Sequence, residues 1–429
     1  MRGVLVVLDG IGDLPNKQLN DMTPLEAAET PNLDILASKS ELGYMYPVRP
    51  GFVPESDEAI VSIFGNDLIS STRGQLEARG AGVKLTRGDL AFRANFATID
   101  SLKNGNIIDR RAGRTLTTVE AEILSNALNK INMPCKFVFA PTIQHRGALV
   151  FRGGFSDNIT GNDSTYSKGQ PESAVKIGYC KPKDDEEDSQ YAASIVNEFL
   201  RKAYDVLDKH PLNEERRKRG LMPANYLLVR GAGIEVPKLK IYRKWFSVAY
   251  MPLEKGFSKL CGMKIFSFNY PKLKNMDVYA TLYAGLKKAC KFSIKSLKKG
   301  RKSFDYAYIH IKETDLPGHD NKPIEKKTMI EYIDKTLFSF LRKFSVQNKV
   351  KVVVTADHST PCKLREHSAH PVPVLFYDPS NKVKNEGKRF CEDEARKGKL
   401  GRVIGKELFS KVGFDRAVCT DSDGGWMSI

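Results

Sequence analysis

An α/β fold is predicted, with a mostly parallel central sheet and a smaller α+β domain inserted into it. Three observations carry this. Short β-branched or apolar runs at Val4–Leu8, Tyr306–Ile311 and Val352–Thr355 read as buried strands of a parallel sheet. Helical patterns such as Ile324–Phe344 alternate with them. From about residue 70 to 170 the texture changes to strands of alternating pattern around a single helix.

The first strand, Val4–Leu8, ends in Asp9-Gly10-Ile11-Gly12-Asp13. Thr23-Pro24 and Thr30-Pro31 mark helix starts, with Pro at the first helical position. Ser56 is placed to begin a helix ahead of the apolar stretch Ile60–Phe64. From this segment alone an N-cap is the favoured reading, and it does not exclude a nucleophile at a helix N-terminus, where backbone N–H groups favour an anion. Leu90–Ile99, Ile107–Ile108, Phe137–Phe139 and Ala148–Phe151 are the strands of the inserted domain, and Thr118–Leu128 is its helix. Residues 156–190 are loop-rich, and Lys183–Asp188 reads as a solvated acidic loop.

A helix over Tyr191–Lys209 follows, then a charged helix surface at Glu214–Arg219. The strand Tyr226–Val229 ends in Arg230-Gly231 and lacks the spacing of a P-loop. An amphipathic helix is expected over Met276–Leu297. After Tyr306–Ile311 comes Lys312-Glu313-Thr314-Asp315-Leu316-Pro317-Gly318-His319, in which Pro317 and Gly318 predict a shaped loop. The strand ending at Thr355 leads into Asp357-His358, with His367 and His370 close behind.

Composition narrows the function. The chain carries 68 basic and 51 acidic residues, a net charge of +17. The basic residues are spread along the chain and rarely interleaved with aromatics, which disfavours nucleic-acid binding and leaves an anionic small substrate or a proteome-wide basic bias. Seven widely spaced cysteines without a C-x-x-C pattern fit reduced thiols in the cytoplasm. No apolar run approaches the roughly 20 residues of a membrane span. Five of the seven histidines lie between His310 and His370, which concentrates the side chain suited to both metals and protons.

The unusual groups gather at strand ends: Asp9, Ser56 on its own loop, Asp315 with His319, and Asp357, His358 and His367. In an open α/β sheet, ligands bind beyond the carboxyl ends of the strands. Three Asp, three His and a Ser make a ligand set for two divalent ions. Two such ions about 3.5–4 Å apart can bind a phosphoryl oxygen and activate an attacking one. Arginine clusters in Asp109-Arg110-Arg111-Ala112-Gly113-Arg114 and His145-Arg146 suit phosphate or carboxylate, which guanidinium binds in a bidentate way.

Several segments now coincide in order: VLVVLDGIGD, PESDEA, DRRAGR, HRGALVFRG, ANYLLVRGAG, ETDLPGHD, TADHSTPC and EHSAHPVP. Together they resemble the archaeal-type cofactor-independent (2,3-bisphosphoglycerate-independent) phosphoglycerate mutases of the alkaline phosphatase superfamily, over nearly the whole chain. The resemblance implies an alkaline-phosphatase-like three-layer domain, residues 1–69 and 171–429, and an inserted cap, residues 70–170. It implies a phosphoserine intermediate, two divalent ions (Mn²⁺, Mg²⁺ or Zn²⁺) and no 2,3-bisphosphoglycerate. Ser56 becomes the nucleophile. Asp9, Ser56, Asp357 and His358 would hold one metal, and Asp315, His319 and His367 the other. Asp109, Arg114, His145, Arg146 and Arg230 match segments that hold the phosphoglycerate, while His370 does not match the ligand position. One departure stands out: the family's Asp-Pro-His appears here as Asp163-Ser164-Thr165. The expected reaction is interchange of 3- and 2-phosphoglycerate, with a metal-dependent phosphatase or phosphonate-processing enzyme of the same fold as the rival. The partner is a small molecule, with no membrane, and a homo-oligomer is compatible with everything above.

Overall fold

The computed structural model describes residues 1–67, 73–163, 176–273, 277–381, 383 and 388–415. The strands in chain order are β1 (Gly3–Leu8), β2 (Glu41–Tyr46), β3 (Leu90–Ile99), β4 (Ile107–Asp109), β5 (Phe137–Pro141), β6 (Arg146–Phe151) and β7 (Tyr226–Gly233). They continue with β8 (Trp245–Val248), β9 (Lys264–Phe266), β10 (Tyr306–Ile311), β11 (Lys351–Thr355), β12 (Val372–Tyr377) and β13 (Gly401–Ile404). Eight of them form one sheet in the order β13-β2-β12-β11-β1-β10-β8-β9. Within it only β12 runs against its neighbours. The expected mostly parallel α/β sheet is therefore present.

β1 lies at the middle of that sheet, and each of its residues is buried. This is why its sequence is continuously apolar: both faces are covered by helices. Its register runs from Gly3 opposite Tyr306 to Leu8 opposite Ile311, and from Gly3 opposite Lys351 to Val7 opposite Thr355. Residues just past Leu8, Ile311 and Thr355 consequently emerge at one level.

A core of aromatic rings anchors the helix that carries Ser56. That helix runs Ser56–Ile63 and ends at Phe64. The Phe64 ring meets Tyr242, Trp245, Phe257, Tyr308 and Phe409 edge-on, at centroid separations of 5.0–5.6 Å. Truncating such a ring costs about 3–5 kcal/mol.

The remaining strands form an antiparallel sheet in which β3 pairs with β4, β6 and β7, and β6 with β5. Its own apolar core includes Phe92, Phe96, Leu124, Phe151, Phe199 and Val229. This corrects the expected domain limits. The boundaries at 69/70 and 170/171 lie outside the described residues, but β7 belongs to the second sheet, so that unit extends to Gly233. The pairing of β3 with β7 joins residues more than a hundred positions apart, a contact no local pattern announces.

Other local expectations shift too. Arg230 lies inside β7, not at a strand end. Asp315–His319 forms a short helix, not a loop. The helix expected over Ile324–Phe344 runs as Pro323–Ile333, a wider π turn at Asp334–Phe338, and Ser339–Asn348. In the wide turn Asp334 accepts the N–H groups of Asn32 and Leu33, at 3.2 and 2.7 Å. Those N–H groups open helix Pro31–Ala37, whose N-cap Thr30 accepts no backbone N–H with its side chain and instead donates its hydroxyl to Asp34 at 3.3 Å. The distant carboxylate satisfies donors that the local cap leaves free. Arg216, in the segment read as a charged surface, is fully buried against Glu120 at 2.9 Å. The six described cysteines all carry free thiols. No helix among the described residues is long and apolar enough to cross a membrane.

Candidate active site

Three strand ends and one helix start build the site. Asp9 follows β1, Lys312 to Asp315 follow β10, and Asp357-His358 follow β11. Thr314 donates its hydroxyl to the Asp9 carbonyl at 2.6 Å, tying two of these ends together. Ser56 is the first residue of its helix, and the cap is Glu55, whose backbone N–H donates to the Glu58 carboxylate at 2.9 Å. The serine hydroxyl is thus released from capping. Its Oγ lies 3.3 Å from His358 Nε2 and 3.5 Å from Lys312 Nζ.

Charge is concentrated beneath that hydroxyl. Lys312 makes a short ion pair with Asp9, lies 3.0 Å from Glu254 and 3.9 Å from Asp357. His310 Nε2 is 3.4 Å from Asp357 Oδ2 and 3.7 Å from Asp9 Oδ2. Burial, then the neighbouring Asp357, raises the Asp9 carboxyl well above its ordinary range. Burial also opposes the charge on Lys312, but Asp9, Glu254 and Asp357 outweigh it and strengthen its hold on the proton. Burial pushes His358 down to about 3, so its imidazole is neutral, as a metal ligand must be.

Two sets of metal-ligating atoms converge here: Asp9, His310 and Asp357, and Asp315, His358 and His367, each set within 4.8 Å. Asp9 Oδ1, Asp357 Oδ2 and His310 Nε2 are buried without a hydrogen-bond partner. Buried acceptors left this way fit a cation that would bind them. His358 stands between the sets, its Nε2 3.3 Å from Asp9 Oδ1 and 3.4 Å from Asp357 Oδ2, while its ring stacks on His367 at 3.7 Å. His319 reaches Asp315 at 3.4 Å. His319 and His367 direct Nδ1 at the carbonyls of Arg365 and Pro54, at 2.9 and 3.0 Å, leaving Nε2 toward Asp315. His370 instead bonds Ser368 at 2.9 Å and does not line the cleft.

The second sheet walls the cleft with cations. Arg93, Arg111, Arg114, His145, Arg146 and Arg230 line it opposite Ser56. Glu55 links the two sides, accepting from Arg73 at 3.1 Å and from both terminal nitrogens of Arg230 at 3.3 Å. Burial opposes ionisation of Glu55, but Arg230 and Arg73 hold it well below the usual carboxylate range. Burial, with Arg146 and Arg111 beside it, keeps His145 neutral. Asp109 does not line the cleft. Its Oδ1 accepts from Arg111 N–H and Gly113 N–H at 2.7 and 2.8 Å, shaping the loop that presents the arginines. Asp163 is ion-paired with Arg110, while Ser164 and Thr165 lie outside the described residues.

Sequence reasoning missed His310, Lys312, Glu254, Glu55, Arg73 and Arg93. Lys312 carried the same signal as Asp9, a charged residue directly after a core strand. Arg93 lies between the alternating apolar positions Phe92 and Ala94, on the opposite face of β3. Glu254 and Arg73 had no sequence signal, because helices Pro252–Leu260 and Arg73–Gly80 reach the cleft only through tertiary packing.

Known proteins are similar to this chain over nearly its whole length. Residues 37–213 match a family model described as 2,3-bisphosphoglycerate-independent phosphoglycerate mutase. A 2,3-bisphosphoglycerate-independent phosphoglycerate mutase of Pyrococcus horikoshii is 39% identical over 416 residues, covering 95% of each chain. Another, from Archaeoglobus fulgidus, is 37% identical over 420 residues, covering 95% of this chain and 96% of its own. A solved structure of a Pyrococcus horikoshii protein superposes with a TM-score of 0.72 at 31% identity, over 99% of both chains. A cofactor-independent phosphoglycerate mutase from Thermoplasma acidophilum gives 0.56 at 31% identity, over 97% of this chain and 100% of that one.

Proposed function

This chain belongs to the 2,3-bisphosphoglycerate-independent phosphoglycerate mutases, and from that premise we propose that Ser56 carries the phosphoryl group between the two hydroxyls of glycerate. The observation that supports this most is the position of Ser56 Oγ, 3.3 Å from His358 Nε2 and 3.5 Å from Lys312 Nζ, beneath a wall of arginines.

The reaction has two mirrored steps. Ser56 Oγ bonds to phosphorus as the P–O3 bond of 3-phosphoglycerate breaks and the serine proton passes to the leaving O3, giving phosphoserine and glycerate; in the second step the O2 proton returns to Oγ. The glycerate turns, and its O2 bonds to phosphorus as the P–Oγ bond breaks. Lys312 lies close enough to Ser56 to offset charge on the transferring oxygens. The helix N-terminus at Ser56 adds N–H donors on the same side. Arg230, Arg114 and Arg146, with neutral His145, hold the glycerate by its carboxylate and hydroxyls.

Asp9, Asp357 and His358 with Ser56, and Asp315, His319 and His367, would hold two divalent ions (Mn²⁺, Mg²⁺ or Zn²⁺). His310 adds a ligand atom beside the first set. Such ions, when bound, lower the serine hydroxyl's pKa and neutralise phosphoryl charge. No 2,3-bisphosphoglycerate is needed, because the phosphoryl group that leaves is the one returned. The cleft must also exclude water from phosphoserine, since hydrolysis would turn the mutase into a phosphatase.

Incubation with 3-phosphoglycerate and Mn²⁺, following both isomers and free phosphate, tests this. Formation of 2-phosphoglycerate without stoichiometric phosphate release is expected. Phosphate without 2-phosphoglycerate would sink the mutase reading in favour of the phosphatase.

A further inference from the structure

We propose that Thr360 is a positioning residue that joins, through one shared hydroxyl, two ligands assigned above to different ions, His358 and Asp315. The inference rests on the metal-dependent reading above and concerns how this chain organises its ligands.

Thr360 Oγ1 lies 2.7 Å from Asp315 Oδ1 and 3.0 Å from His358 Nδ1. A hydroxyl donates one proton and accepts others, while an ionised carboxylate only accepts. Thr360 therefore donates to Asp315, and His358 donates its Nδ1–H to Thr360. That order sets the tautomer of His358. Its Nε2 lone pair is left facing Ser56 Oγ, Asp9 Oδ1 and Asp357 Oδ2, all at 3.3–3.4 Å. One proton chain thus runs from a ligand proposed for one ion to a ligand proposed for the other.

The hydroxyl has little freedom to do otherwise. Thr360 is fully buried. Its N–H donates to Gly12 O at 3.0 Å, and its carbonyl accepts from Lys326 Nζ at 3.0 Å. Lys326 is itself buried, bonded to Asp13 at 2.8 Å and reaching Gly12 O at 3.4 Å. The loops after β1 and β11 are therefore clamped together around this residue. Two glycines make the room. Gly10 has a φ of +60°, and a Cβ there would stand 2.5 Å from Thr360 Oγ1 and 2.7 Å from Asp315 Oδ1. A Cβ on Gly318 would collide with the Thr360 carbonyl oxygen. Every polar atom of Thr360 has a partner, and a valine of the same shape would leave Asp315 and His358 each short of one.

The test is Mn²⁺ titration of chelator-stripped protein by calorimetry, with paramagnetic resonance counting the bound ions. Wild type is expected to take two. T360V should keep its fold by circular dichroism yet bind both ions about 10–100-fold more weakly, the range for losing a partner of a ligand. T360S, which keeps the hydroxyl, should return within a few-fold of wild type. Unchanged affinities in T360V would overturn the proposal. Should T360V fail to fold, ¹⁵N-histidine spectra of metal-free wild type decide: His358 protonated on Nδ1 supports the coupling, and protonation on Nε2 overturns it. Wild type binding no Mn²⁺ would instead overturn the metal-dependent reading on which the proposal stands.

Discussion

Arg114 Nη1 reaches both carboxylate oxygens of Asp320, at 2.7 and 2.6 Å, and so joins the loop after β4 to the helix that carries His319. Tyr279 adds its hydroxyl to the same carboxylate at 2.9 Å. Arg114 sits in the left-handed backbone region, φ 55°, at the end of the loop that Asp109 shapes. An arginine expected to hold substrate is thus also a clasp between the two sheets' units. A substrate carboxylate would compete with Asp320 for it.

Loosening that clasp is expected to open the cleft to water. Arg114→Ala should lower kcat/KM by roughly tenfold or more, the scale of a lost charge-assisted pair. It should also raise the fraction of turnovers that release free phosphate. Asp320→Asn should raise that fraction while retaining more isomerisation. Quantifying phosphate against 2-phosphoglycerate checks both, and an unchanged ratio in Arg114→Ala would remove the clasp from the mechanism.

Ser56→Ala should abolish isomerisation, with a loss of roughly a thousandfold or more, as for nucleophiles that act within a unit. Its effect on folding should be small. The bond from the Glu55 N–H to the Glu58 carboxylate at the helix start does not involve the serine side chain. Steady-state rates and a thermal melt on one preparation separate the two. Undiminished turnover would refute the assignment.

Lys326→Met should destabilise the protein by about 3–5 kcal/mol, because it leaves a buried Asp13 carboxylate unpaired. The double variant with Asp13→Asn should recover part of that loss. Urea denaturation of the three variants measures it, and additivity of the two single changes would show that the pair is not coupled.

Stability should fall between about pH 4.5 and 7 through Glu392. Burial raises this carboxyl to about 7 from an ordinary 4.5. Its oxygens accept from Asp13 N–H at 3.1 Å and the Thr23 hydroxyl at 2.8 Å, with no cation among the described residues bonded to it. In that window the folded chain holds a proton the unfolded chain has released, so stability is complete below pH 4.5 and is lost as pH rises through 7. The loss from this group is at most about 3 kcal/mol, at 1.36 kcal/mol per pH unit. Glu392→Gln should flatten that part of the curve relative to wild type. Denaturation midpoints at pH 5 and 8 check the sign.

Much was legible in the sequence because it was written locally. The apolar runs of β1, β10 and β11 predicted a parallel sheet, since a strand buried on both faces must be apolar throughout. The polar residues at their ends predicted where Asp9, Asp315 and Asp357 would stand. Thr23 and Pro24 announced a capped helix start that is present with its reciprocal Glu26.

Tertiary structure alone decided the rest. The partnering of β3 with β7, and with it the extent of the second unit, depends on hydrogen bonds between distant strands whose local patterns would suit many neighbours. Arg216 looks like a surface charge in sequence, and only the fold brings Glu120 to its buried guanidinium. Glu254 and Arg73 enter the site on packed helices that carry no motif. His358 was readable as a ligand by its type and place. Which neighbours its Nε2 faces was set by Thr360, and Thr360 is held by a lysine thirty-four residues earlier in the chain. Local sequence dictates which groups a strand end offers. Their mutual distances and proton positions come from long-range contacts, and those exist only once the chain has closed on itself.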